Sequence, residues 1–137
     1  MKVIDAKDHI YGRLSTKIAK MLLNGEEVVV VNANKVVVTG SRDAVLKKFR
    51  ERMDIGSVRK GPYYPRTSNQ ILRRSIGDML PKKKSSGMEK FRHCKVYSGV
   101  PHQYKDHEMM TVEEAKNKKM SGFVLLADVA ANLGGKY

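Results

Sequence analysis

The sequence predicts an α/β fold in which helices cover both faces of a mainly parallel sheet. Two observations support this fold class: β-branched runs at 28–31 and 36–39, and apolar stripes at helical spacing around them. Continuous β-branched runs without polar alternation are typical of strands buried on both faces. A length of 137 residues is that of one ordinary domain with its own apolar core, so residues 1–137 are interpreted as a single domain.

The first third of the chain alternates between strand and helix patterns. Residues 2–5 form a short candidate strand, and apolar side chains at i, i+4, i+7 and i+8 predict a helix over 12–23. The runs at 28–31 and 36–39 are the next candidate strands. A helix is expected over 43–53, after a Gly-Ser pair that suits a helix start and offers backbone N–H groups to a phosphate.

Further along, residues 56–66 contain two glycines and two prolines and are predicted to form a loop. Residues 67–80 have apolar positions at helical spacing, and Pro81 ends that helix. A short helix over 88–92 and an extended segment from Lys95 follow.

The last part of the chain has three local signals. Thr111 stands three residues before Glu114, the spacing of a capping box at a helix start. An apolar run at 123–125 predicts a strand, and residues 127–133 predict a short final helix closed by two glycines.

Positive charge is concentrated in the middle of the chain. The sequence has 27 Lys and Arg against 14 Asp and Glu, a formal net charge of +13. Residues 59–95 carry 11 of those bases and only two acids, so nine of the thirteen excess charges lie in this segment. Nucleic acid is the commonest partner of such a segment, and an anionic membrane surface is a weaker alternative because no basic helix has a broad apolar face.

Glycine, proline and two tyrosines interrupt the basic residues, a pattern that favours contact with RNA over a merely solvated surface. Arginine binds phosphates and stacks on bases, and tyrosine offers a ring to an unpaired base. One of the two tyrosines could instead pack the loop onto the core. The predicted RNA-binding residues are Lys47, Lys48, Arg59, Lys60, Tyr63, Tyr64, Arg66, Arg73, Arg74, Lys82, Lys83, Lys84, Lys90, Arg92 and Lys95.

No pattern in the sequence predicts catalysis, a metal or a cofactor. Cys94 is the one cysteine, which excludes an internal disulfide and a cysteine-based zinc cluster. His93 and Cys94 are adjacent, so they point to opposite faces of an extended chain and cannot form a nucleophile–base pair. His102 and His107 lack metal-ligand spacing, and no glycine-rich nucleotide loop, membrane span or signal peptide is recognisable. No small-molecule substrate is expected.

Several motifs resemble those of the large-ribosomal-subunit protein L thirteen family, and they occur in the same order over essentially the whole chain. The N-terminal matches are Asp5-Ala6, Gly12-Arg13-Leu14-Ser15, Val29-Val30-Val31-Asn32-Ala33 and Val37-Val38-Thr39-Gly40. The central matches are Gly77-Asp78-Met79-Leu80-Pro81, Gly87 and Lys95-Val96-Tyr97-Ser98-Gly99, and Phe123 to Gly134 resembles the closing strand and helix. The segment Gly61-Pro62-Tyr63-Tyr64-Pro65-Arg66 is similar to archaeal and eukaryotic members, and the short length favours the archaeal ones. Asp78 and Gly77 depart from the usual glycine and arginine.

The resemblance implies a three-layer α/β/α domain around a four-stranded, mainly parallel sheet, with a basic central extension over about 57–95. It also implies binding to large-subunit ribosomal RNA beside neighbouring ribosomal proteins, a role in early subunit assembly and translation, a cytoplasmic location on the ribosome, and no enzymatic activity. Two other functions remain open from the residues alone. They are an RNA-acting enzyme, for which no carboxylate or histidine cluster is visible, and a free-standing regulatory RNA-binding module.

Overall fold

A computed structural model describes residues 1–57 and 59–135. The strands are β1 (Lys2–Asp5), β2 (Val28–Val31), β3 (Val37–Thr39), β4 (Cys94–Val96), β5 (Met109–Met110) and β6 (Phe123–Leu125). The helices are α1 (Tyr11–Leu23), α2 (Arg42–Asp54), α3 (Ser68–Asp78), α4 (Ser85–Arg92) and α5 (Leu126–Asn132). Short 3₁₀ helices lie at Ala33–Lys35, His102–Tyr104 and Glu113–Ala115.

Four strands form a parallel sheet in the order β4-β2-β1-β5. Ile4, Val28 and Val30 face the main core beneath the helices. The alternate residues of β1 and β2 face the opposite side, where the 3₁₀ helix at His102–Tyr104 places Tyr104 against them. Because both faces are covered, all four residues of β2 are buried, which explains its uninterrupted valines. The α/β fold class with a four-stranded parallel sheet is therefore confirmed.

The run at 36–39 does not join this sheet, in contrast to the interpretation that it is a strand buried on both faces. Its residues 37–39 pair antiparallel with β6 in a separate two-stranded sheet. Val37 is buried, whereas Val38 is half-buried and Thr39 is exposed. The fourth strand of the main sheet is instead β5, whose two methionines give no strand pattern in the sequence.

The capping box predicted at Thr111 and Glu114 is wrong. The Thr111 hydroxyl donates to the Glu113 carboxylate, and only a 3₁₀ turn follows. Residues from the N-terminal part of the chain hold the backbone at 109–112. Strand β5 pairs with β1, and the Val112 N–H donates to the buried His9 ring at 2.9 Å. Val112, and not Thr111, is the residue that precedes the 3₁₀ turn.

The basic central segment contributes directly to the core. Helix α3 packs against α1 and buries Ile71, Leu72 and Ile76 completely, and β4 is an edge strand of the main sheet. Residues of the apolar stripe of α1 and of the apolar runs in β2, β3 and β6 are buried as well. They are Leu14, Ile18, Val30, Val37 and Val124.

Gly87, in the first turn of α4, lets this helix lie close to Pro81, which follows α3. A Cβ at this buried position would lie 2.1 Å from the Pro81 carbonyl oxygen, so a larger residue requires the backbone to move. The turn is also closed by the Lys84 N–H, which donates to the Pro81 carbonyl at 3.0 Å. The three lysines at 82–84 therefore lie in a turn whose backbone is closed by a hydrogen bond.

Candidate nucleic-acid interface

Lys47 and Lys48 lie exposed on α2. This helix begins at Ser41, whose hydroxyl accepts a hydrogen bond from the Ala44 N–H at 3.4 Å, and Asp43 lies in its first turn. The Gly-Ser pair is thus used as an ordinary helix cap. The two lysines lie in the middle of the helix, where no acidic side chain of the described residues pairs with them.

The loop between α2 and α3 presents three predicted cations, Arg59, Lys60 and Arg66, all exposed. The backbones of Ser57 and Gly61 exchange two hydrogen bonds, of 3.1 and 3.0 Å, and close the loop tip. The Lys60 N–H also donates to the Ser57 hydroxyl at 2.9 Å, and the side chains of Arg59 and Lys60 remain exposed to an anionic partner.

The two neighbouring tyrosines have different environments. Tyr64 is half-buried against Phe49, with ring centroids 6.3 Å apart, and it packs the loop onto the core. Tyr63 is 67% exposed, and its hydroxyl donates to the Arg59 carbonyl. The structure therefore identifies Tyr64 as the packing residue and leaves the ring of Tyr63 at the surface.

Arg73 and Arg74 lie side by side on α3, and both are half-buried. Arg73 Nε donates to the Cys94 carbonyl at 3.1 Å, and its guanidinium lies 4.2 Å from the centre of the Phe91 ring. Since β4 is an edge strand, Arg73 occupies a backbone acceptor that would otherwise be free. Arg74 lies 5.2 Å from the Tyr64 ring and donates to the Tyr63 carbonyl at 3.3 Å.

The lysines after Pro81 also differ from one another. Lys82 lies 3.5 Å from the Asp78 carboxylate and 5.5 Å from the Phe91 ring. Lys83 and Lys84 are exposed, with no ion pair to any acid in the described ranges. Surface pairs such as that of Lys82 add little stability, and so this lysine remains available to a stronger anion.

On α4 and β4 the predicted cations have separate positions. Lys90 Nζ donates to the Leu23 carbonyl at 2.8 Å and so binds the C-terminal end of α1. Arg92 and Lys95 line a hollow of about 210 Å³ together with His93 and Glu27, which lie 3.3 Å apart. These two cations thus lie apart from the grooves around α3.

Four of the predicted residues come together in one groove of about 470 Å³, namely Tyr63, Arg73, Arg74 and Lys82. A neighbouring cleft of about 420 Å³ is lined by Arg74, Tyr64 and Arg52. Arg52 was not among the predicted contacts. Its guanidinium lies 5.2 Å from the Phe49 ring, and the i, i+3 spacing of these two residues on α2 was the available signal.

Two groups near the interface have strongly shifted pKa values because they are buried. Burial raises the pKa of the Cys94 thiol to about 11, against a smaller opposing effect of Arg73. Burial also raises the pKa of Tyr11 well above its usual value, and neighbouring Tyr64 adds to the shift. Both groups are neutral at physiological pH, and neither has the lowered pKa of an activated nucleophile.

Among the described residues, four acidic side chains pair with cations outside the predicted set, namely Glu26, Glu113, Glu114 and Asp128. A hydrogen bond and the charge of Lys116 lower the pKa of Glu113, and Lys17 does the same for Glu114. Among the residues that the structure describes, no three His, Cys, Asp or Glu side chains could hold a metal ion together. Cys94 begins β4 and is buried, whereas His93, which caps the end of α4 just before it, is exposed.

In the described part of the chain, no helix has the length and apolarity needed to cross a membrane. The surface has an excess of cations, an exposed tyrosine and open grooves, and it lies on a well-packed α/β core. This combination is typical of one class, the basic α/β proteins that bind nucleic acid.

Comparison with known proteins narrows the class to one family. The family model for ribosomal protein L13 matches residues 1–103. The large ribosomal subunit protein uL13 of Picrophilus torridus is 51% identical over 137 residues, covering 100% of this chain and 99% of that protein. Those of Thermoplasma volcanium and Methanococcoides burtonii are 53% and 40% identical, over 98% and 100% of this chain and 99% and 100% of theirs.

The chain belongs to the ribosomal protein L13 family. These relatives are all archaeal, which confirms the assignment to the archaeal type. Members of the family are structural components of the large ribosomal subunit and not enzymes, so the alternative of an RNA-acting enzyme is set aside.

Proposed function

We propose that this protein binds large-subunit ribosomal RNA through its basic surface and thereby supports early assembly of the subunit and translation. The carrying observation is a set of nine exposed cations that have no acidic partner among the described residues. They are Lys47, Lys48, Arg59, Lys60, Arg66, Lys83, Lys84, Arg92 and Lys95. Their charge repels itself in the free domain, and RNA phosphates neutralise it.

The mechanism is neutralisation by side chains that a rigid core holds in place. The charges lie on loops and on exposed helix positions, and the core beneath them is completed by α3 and β4 of the same basic segment. Because that segment also folds the domain, the spacing of its charges is set before RNA is met. RNA helices that bind the same surface can then pack closely, beside neighbouring ribosomal proteins.

The proposal is tested by removing Lys83 and Lys84 together as Lys83→Ala/Lys84→Ala. We expect weaker binding to a transcript of the large-subunit RNA and a salt dependence that is less steep by about 0.7–0.9 per lost phosphate contact. Incorporation into the large subunit on a density gradient should fall as well. The matched control, Lys118→Ala/Lys119→Ala, removes the same charge from another exposed loop.

An unchanged salt slope in the first variant would contradict a phosphate-binding role for these lysines. Equal losses in both variants would mean that net charge alone drives the association. The gradient also tests the regulatory alternative, because a ribosomal constituent remains with the large subunit whereas a free-standing regulator sediments separately.

A further inference from the structure

The groove beside α3 differs in chemistry from the rest of the basic surface. It has a volume of about 470 Å³ and is lined by three cations, Arg73, Arg74 and Lys82, and by two aromatic rings, Tyr63 and Phe91. No carboxylate is among its lining residues, and the nearest acid recorded beside it is Asp78, 3.5 Å from Lys82 in an exposed pair that a phosphate can replace. Three cations attract an anion more strongly than a neutral or cationic ligand, so the groove favours an anion.

The cations of this groove are already held in position. Arg73 bonds to the carbonyls of Cys94 and Phe91 at 3.1 and 3.4 Å, and Arg74 to that of Tyr63 at 3.3 Å. A guanidinium has five N–H donors, so these bonds leave others for a ligand. Because the side chains are ordered beforehand, a bound anion costs little further conformational entropy.

Tyr63 adds a flat surface beside these charges. Its ring is 67% exposed, although its hydroxyl donates to the Arg59 carbonyl and thereby ties the side chain to the loop. An aromatic ring that is exposed but tethered is the usual platform for stacking a nucleic-acid base. Gln70, also on the lining, has an exposed amide that can pair with a base edge.

Phosphate and base together occur in a nucleotide, and the base is accessible only when it is unpaired. A duplex would present phosphates to Arg74 and Lys82 but would keep its bases stacked inside the helix. An acidic peptide would satisfy the cations, but its carboxylates would not stack on the ring of Tyr63.

We infer that this groove binds a single unpaired nucleotide of the large-subunit RNA, with its phosphate at Arg74 and Lys82 and its base on Tyr63. This inference rests on the proposed function and specifies the kind of RNA structure that one part of the surface recognises. The remaining cations of the surface need only backbone phosphates.

The test compares two hairpin RNAs that differ by one bulged 2-aminopurine nucleotide. We expect the full-length protein to bind the bulged hairpin about tenfold more tightly than the fully paired one, and to quench the 2-aminopurine fluorescence. Tyr63→Leu should remove both the preference and the quenching while the affinity for the paired hairpin remains. Tyr63→Phe should retain the quenching and most of the preference, because it keeps the ring and loses only the hydroxyl bond to Arg59.

Met120→Leu is the matched control, since Met120 is 98% exposed and lies outside the groove. Equal binding of the two hairpins would overturn the inference, and so would a Tyr63→Leu variant that keeps the preference. Competition by polyglutamate as strong as that by the bulged hairpin would show a general anion site and would also overturn it. In each case, normal incorporation into the large subunit would leave the proposed function intact.

Discussion

Helix α3 and the two loops that flank it, residues 55–67 and 79–84, all carry clustered cations but use them differently. Arg73 of the helix bonds to main-chain carbonyls and covers an aromatic ring. Arg66 and Lys83 of the loops are exposed and have no acid partner within the described ranges. A basic segment therefore contains both structural cations and cations that are free for a ligand.

The difference shows that charge density in the sequence does not identify the contact surface. Lys90 lies in the same segment, yet its ammonium group binds the carbonyl of Leu23, which is 67 residues away in the chain. Such partners are brought close only by folding. Mutational effects on the folded domain should therefore separate the helix from its flanking loops.

The largest effect is expected from the apolar side of α3. Ile76→Ala should lower the free energy of unfolding by about 2–5 kcal/mol, because Ile76 is completely buried and the truncation leaves a cavity. Denaturant unfolding followed by circular dichroism measures this loss. Gln70→Ala on the exposed side of the same helix is the control and should cost less than about 0.5 kcal/mol. Similar losses in both variants would mean that α3 is not packed as described.

The next largest effect on stability should distinguish Arg73 from its neighbour Arg74. Arg73→Ala should cost about 1–3 kcal/mol of stability, since two carbonyls lose a charged donor and Phe91 loses its cation. Arg74→Ala should cost less, because its guanidinium bonds a single carbonyl in the exposed loop. Thermal unfolding of the free protein measures both.

Arg73→Lys sharpens this comparison, because an ammonium group cannot reproduce the planar arrangement of donors on the two carbonyls. We expect it to recover only part of the lost stability. If Arg73→Ala unfolds like the wild type, the contacts to β4 contribute nothing and Arg73 belongs with the loop cations.

Local sequence signals predicted the helices well and some of the strands poorly. Helix α1 was expected over 12–23 and is observed at Tyr11–Leu23, because its apolar stripe and its terminal glycine are both local. The strand β5 was missed because its two residues become a strand only by pairing with β1. His9 was missed for the same reason: its ring is buried between the Lys7 carbonyl and the Val112 N–H, which are brought together by folding.

Prediction of the candidate site from sequence is limited in the same way, because some contacts form only on folding. Composition put most of the predicted RNA-binding residues in the central segment, and the residues that line the groove at Tyr63 were all in the predicted set except Pro65, Gln70 and Phe91. The separate structural uses of Arg73 and Lys90 depended on carbonyls that are remote in sequence. No spacing rule could have found them.

The smallest effect on stability at neutral pH is expected from the thiol of Cys94, which lies beneath α3. Because burial raises the pKa of Cys94 to about 11 from an ordinary value near 9.0, the folded protein keeps the proton over a range in which the unfolded chain loses it. The thiol therefore does not alter the pH dependence of stability below about pH 8, and stability should fall as the pH rises from about 9 to 11. Cys94→Ala should remove this part of the pH dependence.

The same thiol reports on the docking of α3. At pH 8 its reaction with a disulfide reagent should be slow in the wild type and should become faster in Ile76→Ala, whose helix is loosened over the buried sulfur. Lys83→Ala/Lys84→Ala changes only the exposed loop and should leave the rate unchanged. A faster reaction in the loop variant would mean that the loop and the helix open together, and that the division between structural and free cations does not hold in solution.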